Sequence, residues 1–195
     1  MNKLMGFFEL RELNIPTIDW KEYTHGTYLS SDILWTVRSA VTIGDDLNLP
    51  RKVGVTSDEA ISFASGLKTK YGDTIMVIYY PFFIARASGT LQLFDDGYVI
   101  ECVEKDLWNL VSESKCDMTI INRRSDIRKV VTKDILINGE LEEILSVEKQ
   151  VRINFKKELA YGESVLLEWS FACNCDKDRN TVGNSYLVFY ECRTI

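Results

Sequence analysis

The chain has one histidine in 195 residues, three prolines, and five cysteines with no paired spacing. A lone imidazole, His25, excludes any centre that needs two of them, and G-x-x-x-x-G-K-[ST], G-x-G-x-x-G, H-E-x-x-H and G-x-S-x-G are all missing. His25 lies in the loop "YTHGTY", where a solvated side chain is expected more often than a general base or a phosphate contact. Cys102, Cys116, Cys173, Cys175 and Cys192 include one C-x-C but no C-x-x-C, so reduced thiols are expected rather than a zinc site. Long hydrophobic runs are lacking too. "TIMVIYYPFFIA" falls well short of a bilayer span, and "MNKLMGFFEL" carries an acid too early for a signal peptide, so a cytoplasmic protein without membrane contact is expected. Basic residues are outnumbered by acidic ones, 23 to 29, for a net charge of -6. That balance argues against a surface built to neutralise nucleic-acid phosphates.

What is present is a core. Hydrophobic residues make up 46% of the chain, enough for one compact unit over residues 1–195, with a subdivision expected between 1–72 and 73–195. "KLMGFFELREL" has helical apolar spacing and stops before Pro16. "DILWTVRSAV" is β-rich, and "TIGDDLNLPRKVG" breaks the pattern as a polar loop. "TSDEAISFASGLKTKYG" has an N-cap cluster at its start and Gly72 at its end, so a helix is predicted. From Thr74 the pattern becomes a run of strands with hairpin turns: "TIMVIYY", "SGTLQLF", "YVIECVE", "DMTIINR" and "IRKVVTKDILI". A single long helix is predicted over 140–161, with Leu141, Ile144, Leu145, Val151, Phe155 and Leu159 on one face. Two last strands, 164–172 and 185–194, are expected to flank a polar loop, "CNCDKDRNTVGN". Hairpins rather than helical crossovers predict an α+β fold with a mostly antiparallel sheet.

The last two strands place Glu168 in "LLEWSF" and Glu191 in "LVFYECRTI", acids among apolar neighbours. With "TVRSAV" and the opening helix, they resemble the ATP-grasp nucleotide-binding domain of the phosphoenolpyruvate synthase and pyruvate, phosphate dikinase family. "LMGFFELRELNIP" is similar to that family's opening around Gly6, Leu10, Leu13 and Pro16, with Met5 where the family has lysine. "VRSAV" resembles its R-S-S-A strand, with Arg38 and Ser39 in place. "VIYYPFFIARASGTLQLFDDGYVIECVE" resembles its adenine-pocket strand, Ser-Gly strand and acid-bearing strand in order. "KDLW" stands for the family's G-L-G-E, "LLEW" for D-I-E-W with Leu166 replacing the aspartate, and "YECRT" for L-Q-x-R-P with Glu191 replacing glutamine.

The resemblance implies a nucleotide site for ATP and magnesium. It implies Arg38, Ser39, Tyr80, Phe82, Phe83, Glu101 and Arg193 around the nucleotide, and Glu168 and Glu191 on the metal. Phosphoryl transfer needs charge neutralisation, and two glutamates with two arginines are suitable groups for it. Two glutamates on adjacent strands repel, so a cation or an arginine between them is expected. A purely structural Glu–Arg pair is the competing reading. A domain carrying an acceptor histidine is not expected after Arg193, and the expected function is nucleotide binding without complete catalysis. The alternatives are an ATP- and magnesium-dependent phosphotransferase or ligase subunit working with a separate acceptor domain or protein, and a non-catalytic partner-binding scaffold.

Overall fold

A computed structural model describes residues 3–41, 49–107, 110 and 116–195. The expected acidic loop around Gly44, Asp45 and Asp46, and Trp108 of "KDLW", lie outside the described residues. The strands form two antiparallel sheets, so the fold is α+β as predicted. The four-stranded sheet has the order β1 (Lys21–Glu22), β4 (Ile75–Pro81), β2 (Trp35–Val41), β3 (Arg51–Val55). The six-stranded sheet has the order β10 (Thr181–Thr194), β9 (Val165–Cys175), β5 (Phe83–Phe94), β6 (Gly97–Glu104), β7 (Met118–Arg123), β8 (Asp126–Val131). The strands after Thr74, expected in one sheet, are therefore shared between two. β4 pairs with both β1 and β2, and the chain changes sheets at Phe82. A division at residue 72 would cut β4 from the sheet it completes.

Local sequence explains the elements. Helix α1 (Lys3–Glu12) lies so close to β10 that a Cβ on Gly6 would sit 2.2 Å from the Cys192 carbonyl oxygen. Only glycine permits that approach. Helix α2 (Ser57–Tyr71) opens with a capping box: Glu59 N–H donates to Thr56 Oγ1 and the Thr56 N–H donates to the Glu59 carboxylate. The predicted single helix over 140–161 is three short helices, Glu140–Leu145, Glu148–Asn154 and Lys156–Ala160. Ser146 Oγ donates to the Glu143 carbonyl, a back-bond that disturbs helical continuity, and Phe155 leaves helical geometry at φ -104°, ψ 29°. Its apolar face still packs as predicted, with Ile144, Val151, Phe155 and Leu159 buried in the core. The expected polar loop over 173–184 is mostly strand. β9 and β10 run on to Cys175 and from Thr181, and Asp176 closes the turn by accepting from the backbone N–H groups of Asp178 and Asn180.

The two faces of the large sheet differ. Strand alternation sends Leu167, Trp169 and Phe171 of β9, Leu91 and Leu93 of β5, Ile100 of β6 and Met118 of β7 to the face covered by the 140–160 helices. The opposite face carries polar residues. The small sheet leans on one end of it, where Ala40, Met76, Ile78 and Tyr80 meet Ala172 and Val188. On its far side the small sheet packs Val37, Ile75 and Val77 against Ala60, Ala64 and Leu67 of α2.

All five cysteines are free, and burial pushes the thiols of Cys102 and Cys192 up, the latter to about 12. An unfolded thiol ionises near 9.0 while the folded one keeps its proton, so above that pH the unfolded state binds fewer protons. Stability is therefore expected to be flat below about pH 9 and to fall towards about 12. Melting temperatures across that range check this, and Cys192→Ala should flatten the slope.

Candidate functional site

β9 and β10 pair so that Glu168 and Glu191 are directly opposed. Regular alternation along "LVFYECR" would not achieve this. Leu187 and Phe189 face the core, and an unbroken strand would send Glu191 after them. A bulge between Phe189 and Glu191 takes up Tyr190 as an extra residue, so Cys192 returns to the core and Glu191 and Arg193 turn to the open face. The pairing row continues across the sheet from Glu191 through Glu168 and Thr90 to Glu101 and Thr119. Paired residues share a face, so this row is one polar line on the open side.

Arg38 comes down on that line from the small sheet. Its Nη2 donates to Glu191 Oε2 at 3.2 Å, with both side chains buried. The Phe7 ring of α1 lies 5.2 Å from the guanidinium carbon. Burial works against the Arg38 charge, but the attraction of Tyr80, Glu191 and Glu168 outweighs it and raises its pKa. Arg193 bridges the two acids more loosely, with Nη2 3.8 Å from Glu168 Oε1 and Nη1 3.9 Å from Glu191 Oε1. Its side chain is 44% exposed, against 11% for Arg38. Two carboxylates and two guanidiniums thus form one cluster between the sheets.

Of the nine predicted site residues, six lie in or beside this cluster. Arg38, Arg193, Glu168 and Glu191 form it, and Tyr80 stands diagonally across from Arg38 on the neighbouring strand, on the same face. Phe83 reaches it through Tyr190, with ring centroids 6.1 Å apart. Glu101 shares the face but stands two strands from Glu168, roughly 10 Å at ordinary strand spacing. Ser39 and Phe82 point elsewhere. Ser39 is next to Arg38 on β2, so alternation turns it to the α2 side, where its hydroxyl donates to the Pro50 carbonyl at 2.9 Å. Phe82 falls between β4 and β5 and packs beneath the Arg179 guanidinium at 5.5 Å, beside Gly54. Of the stretch from Tyr80 to Phe83, expected to line an adenine, Tyr80 and Phe83 lie beside the cluster and Phe82 does not.

Tyr190 was not predicted, because in sequence it is one more aromatic on a strand. Its hydroxyl accepts from Ser170 Oγ at 3.4 Å, and Ser170 is hydrogen-bonded to Ser88 at 2.8 Å. Burial, and then the charge of Glu168, hold its phenol well above the ordinary value. In "KDLW", Lys105 keeps a left-handed backbone with φ 65°, a conformation glycine adopts without steric cost.

Magnesium, which the sequence resemblance implies, finds a poor donor set. Glu168 and Glu191 supply hard oxygens, but each faces a guanidinium. No cluster of three or more His, Cys, Asp or Glu able to hold a metal occurs among the described residues. No helix among them is long and apolar enough to cross a membrane.

No protein-family model and no curated protein matches the sequence. Solved structures do match in shape. D-Alanine-D-alanine ligase from Helicobacter pylori superimposes on 98% of this chain and 50% of its own, at 13% identity and a TM-score of 0.52. The D-alanine-D-alanine ligase from Coxiella burnetii covers 100% of this chain and 47% of its own, at 13% identity and a TM-score of 0.51. N5-Carboxyaminoimidazole synthetase from Staphylococcus aureus covers 98% and 43%, at 9% identity and a TM-score of 0.50. The chain spans about half the length of the structures it matches. With its two antiparallel sheets meeting over a charged cluster, it has an ATP-grasp-like fold.

Proposed function

We propose that this protein is a nucleotide-binding module in which Arg193 and the Arg38–Glu191 pair receive the phosphates. The base would lie against Tyr80, Phe83 and Tyr190. One observation carries the reading: a half-exposed guanidinium, Arg193, stands over two opposed carboxylates on the floor between the sheets of an ATP-grasp-like fold. A forked donor there is positioned to grip a polyphosphate, and the buried pair beneath keeps the floor fixed. Likeness of "LLEW" and "YECRT" to the phosphoenolpyruvate synthase and pyruvate, phosphate dikinase family supports the same placement. Five free thiols are consistent with work in the cytoplasm.

Glu101 supports a second reading. It adds a carboxylate to the polar row beyond Glu168, where a reacting group could be oriented. The module would then be an ATP-dependent phosphotransferase or ligase unit acting with an acceptor domain or partner.

The test is isothermal titration with ATP, run on wild type and Arg193→Ala. A charge-assisted hydrogen bond contributes roughly 1.5 to 3 kcal/mol, so Arg193→Ala is expected to weaken binding about ten- to hundredfold. The unliganded protein should melt nearly as before, because Arg193 contacts its carboxylates only at 3.8 and 3.9 Å on an exposed rim. Equal affinity in both proteins would refute the phosphate grip.

A further inference from the structure

We propose that the charged cluster takes a polyphosphate as a metal-free anion, with the arginines supplying the positive charge and Glu168 acting as a counter-ion that the ligand displaces from Arg193. This rests on the nucleotide-binding reading above and concerns how that same site neutralises its ligand.

Among the described contacts, two carboxylates of the cluster already face two guanidiniums. Glu191 presents Oε2 to Arg38 at 3.2 Å and Oε1 to Arg193 at 3.9 Å, so both its oxygens face a guanidinium. Glu168 presents Oε1 to Arg193 at 3.8 Å. A divalent ion between the two acids would need oxygen contacts of roughly 2.0 to 2.6 Å and would meet both guanidiniums there. Arg38 cannot leave: it sits on the central part of β2, buried, beneath the Phe7 ring and bonded to Glu191. It cannot lose its proton either, because a guanidinium stays charged in proteins. The next carboxylate on the row, Glu101, is two strands from Glu168 and too far to complete the coordination of an ion at the pair.

Arg193 is built differently. Its distances to the acids are those of ionic contacts rather than hydrogen bonds, and its side chain is exposed at the edge of the cluster. An incoming phosphate can therefore draw its forked donors away from Glu168, whose negative charge competes with the phosphate for them. Metal ligation and counter-ion exchange give Glu168 opposite signs. Removing a ligand carboxylate weakens binding, and removing a competing one strengthens it.

The experiment is titration of the full chain with ATP and with inorganic tripolyphosphate, in EDTA and again in excess magnesium. The expected result is binding in EDTA at least as tight as in magnesium. Glu168→Gln is expected to tighten binding in EDTA by about two- to fivefold, the worth of a partly screened ion pair. Binding that appears only with magnesium, or that Glu168→Gln weakens, overturns the metal-free assignment and leaves nucleotide binding standing. Heat in neither buffer overturns both. The wild-type comparison of the two buffers needs no variant, so it decides the matter even if Glu168→Gln folds poorly.

Discussion

Arg38→Ala is expected to destabilise the fold by roughly 3 to 5 kcal/mol, the usual penalty for removing one partner of a buried ion pair. The reason lies in what stays behind. Glu191 is 8% exposed, and Arg193 at 3.9 Å would be its one remaining cation among the described contacts. The buried Tyr80 would lose its cationic neighbour, and the Phe7 ring would lose the cation beneath it. Arg38 also joins the two sheets, so its loss loosens the seam as well as the charge cluster. At roughly 2 to 4 °C per kcal/mol for a chain of this size, the melting temperature should fall by about 6 to 20 °C. Chemical denaturation gives the free energy directly. The double variant Arg38→Met with Glu191→Met should recover much of the loss, because a buried pair replaced by apolar groups of similar volume is close to neutral. A single variant as stable as wild type would show that Glu191 is well solvated and the pair unimportant.

Trp169→Ala is expected to be as damaging, at roughly 3 to 5 kcal/mol, through a cavity in the main core. Trp169 is fully buried on the helix-covered face, packs edge to face on Phe171 with centroids 5.7 Å apart, and lies over a position of β5 that has no side chain. A Cβ at that position, Gly89, would come within 2.5 Å of the indole ring and 2.1 Å of the Glu101 carbonyl oxygen. The ring therefore fills a space that glycine on β5 leaves for it. Among the described residues its indole N–H finds no hydrogen-bond partner. Trp169→Phe, which deletes that group and keeps an aromatic ring, should consequently cost much less than Trp169→Ala. Urea unfolding of the two variants measures the difference. Equal losses would refute this, because they would mean that a phenyl ring fills the space beside Gly89 no better than a methyl group does.

Much of this molecule could be read from its residues, and the misses have identifiable causes. The helix at 57–71 was legible because Thr56 and Glu59 form a cap from neighbours three residues apart. The apolar face over 140–160 was legible because helical period depends only on spacing, although Ser146 and Phe155 interrupt the helix through local bonds and dihedrals that composition does not reveal. The 173–184 stretch looked like loop because it is polar. It is strand because β9 and β10 pair beyond the core, where exposed strands carry polar side chains on both faces.

By itself the sequence determined the α+β class, the antiparallel hairpins, and the presence of two acids and two arginines on core strands. These depend on local periodicity and turn chemistry, which neighbouring residues settle among themselves. Tertiary structure alone decided which of those groups meet. A bulge at Tyr190 reverses the facing of Glu191 and Arg193, and strand alternation carries Ser39 away from Arg38. The pairing of β4 with β2 brings Tyr80 to the cluster, while the sheet crossover takes Phe82 out of it. Whether Glu168 and Glu191 face a metal or a guanidinium depends on contacts between strands more than a hundred residues apart, as Arg38 and Glu191 are, and no local pattern encodes such a distance.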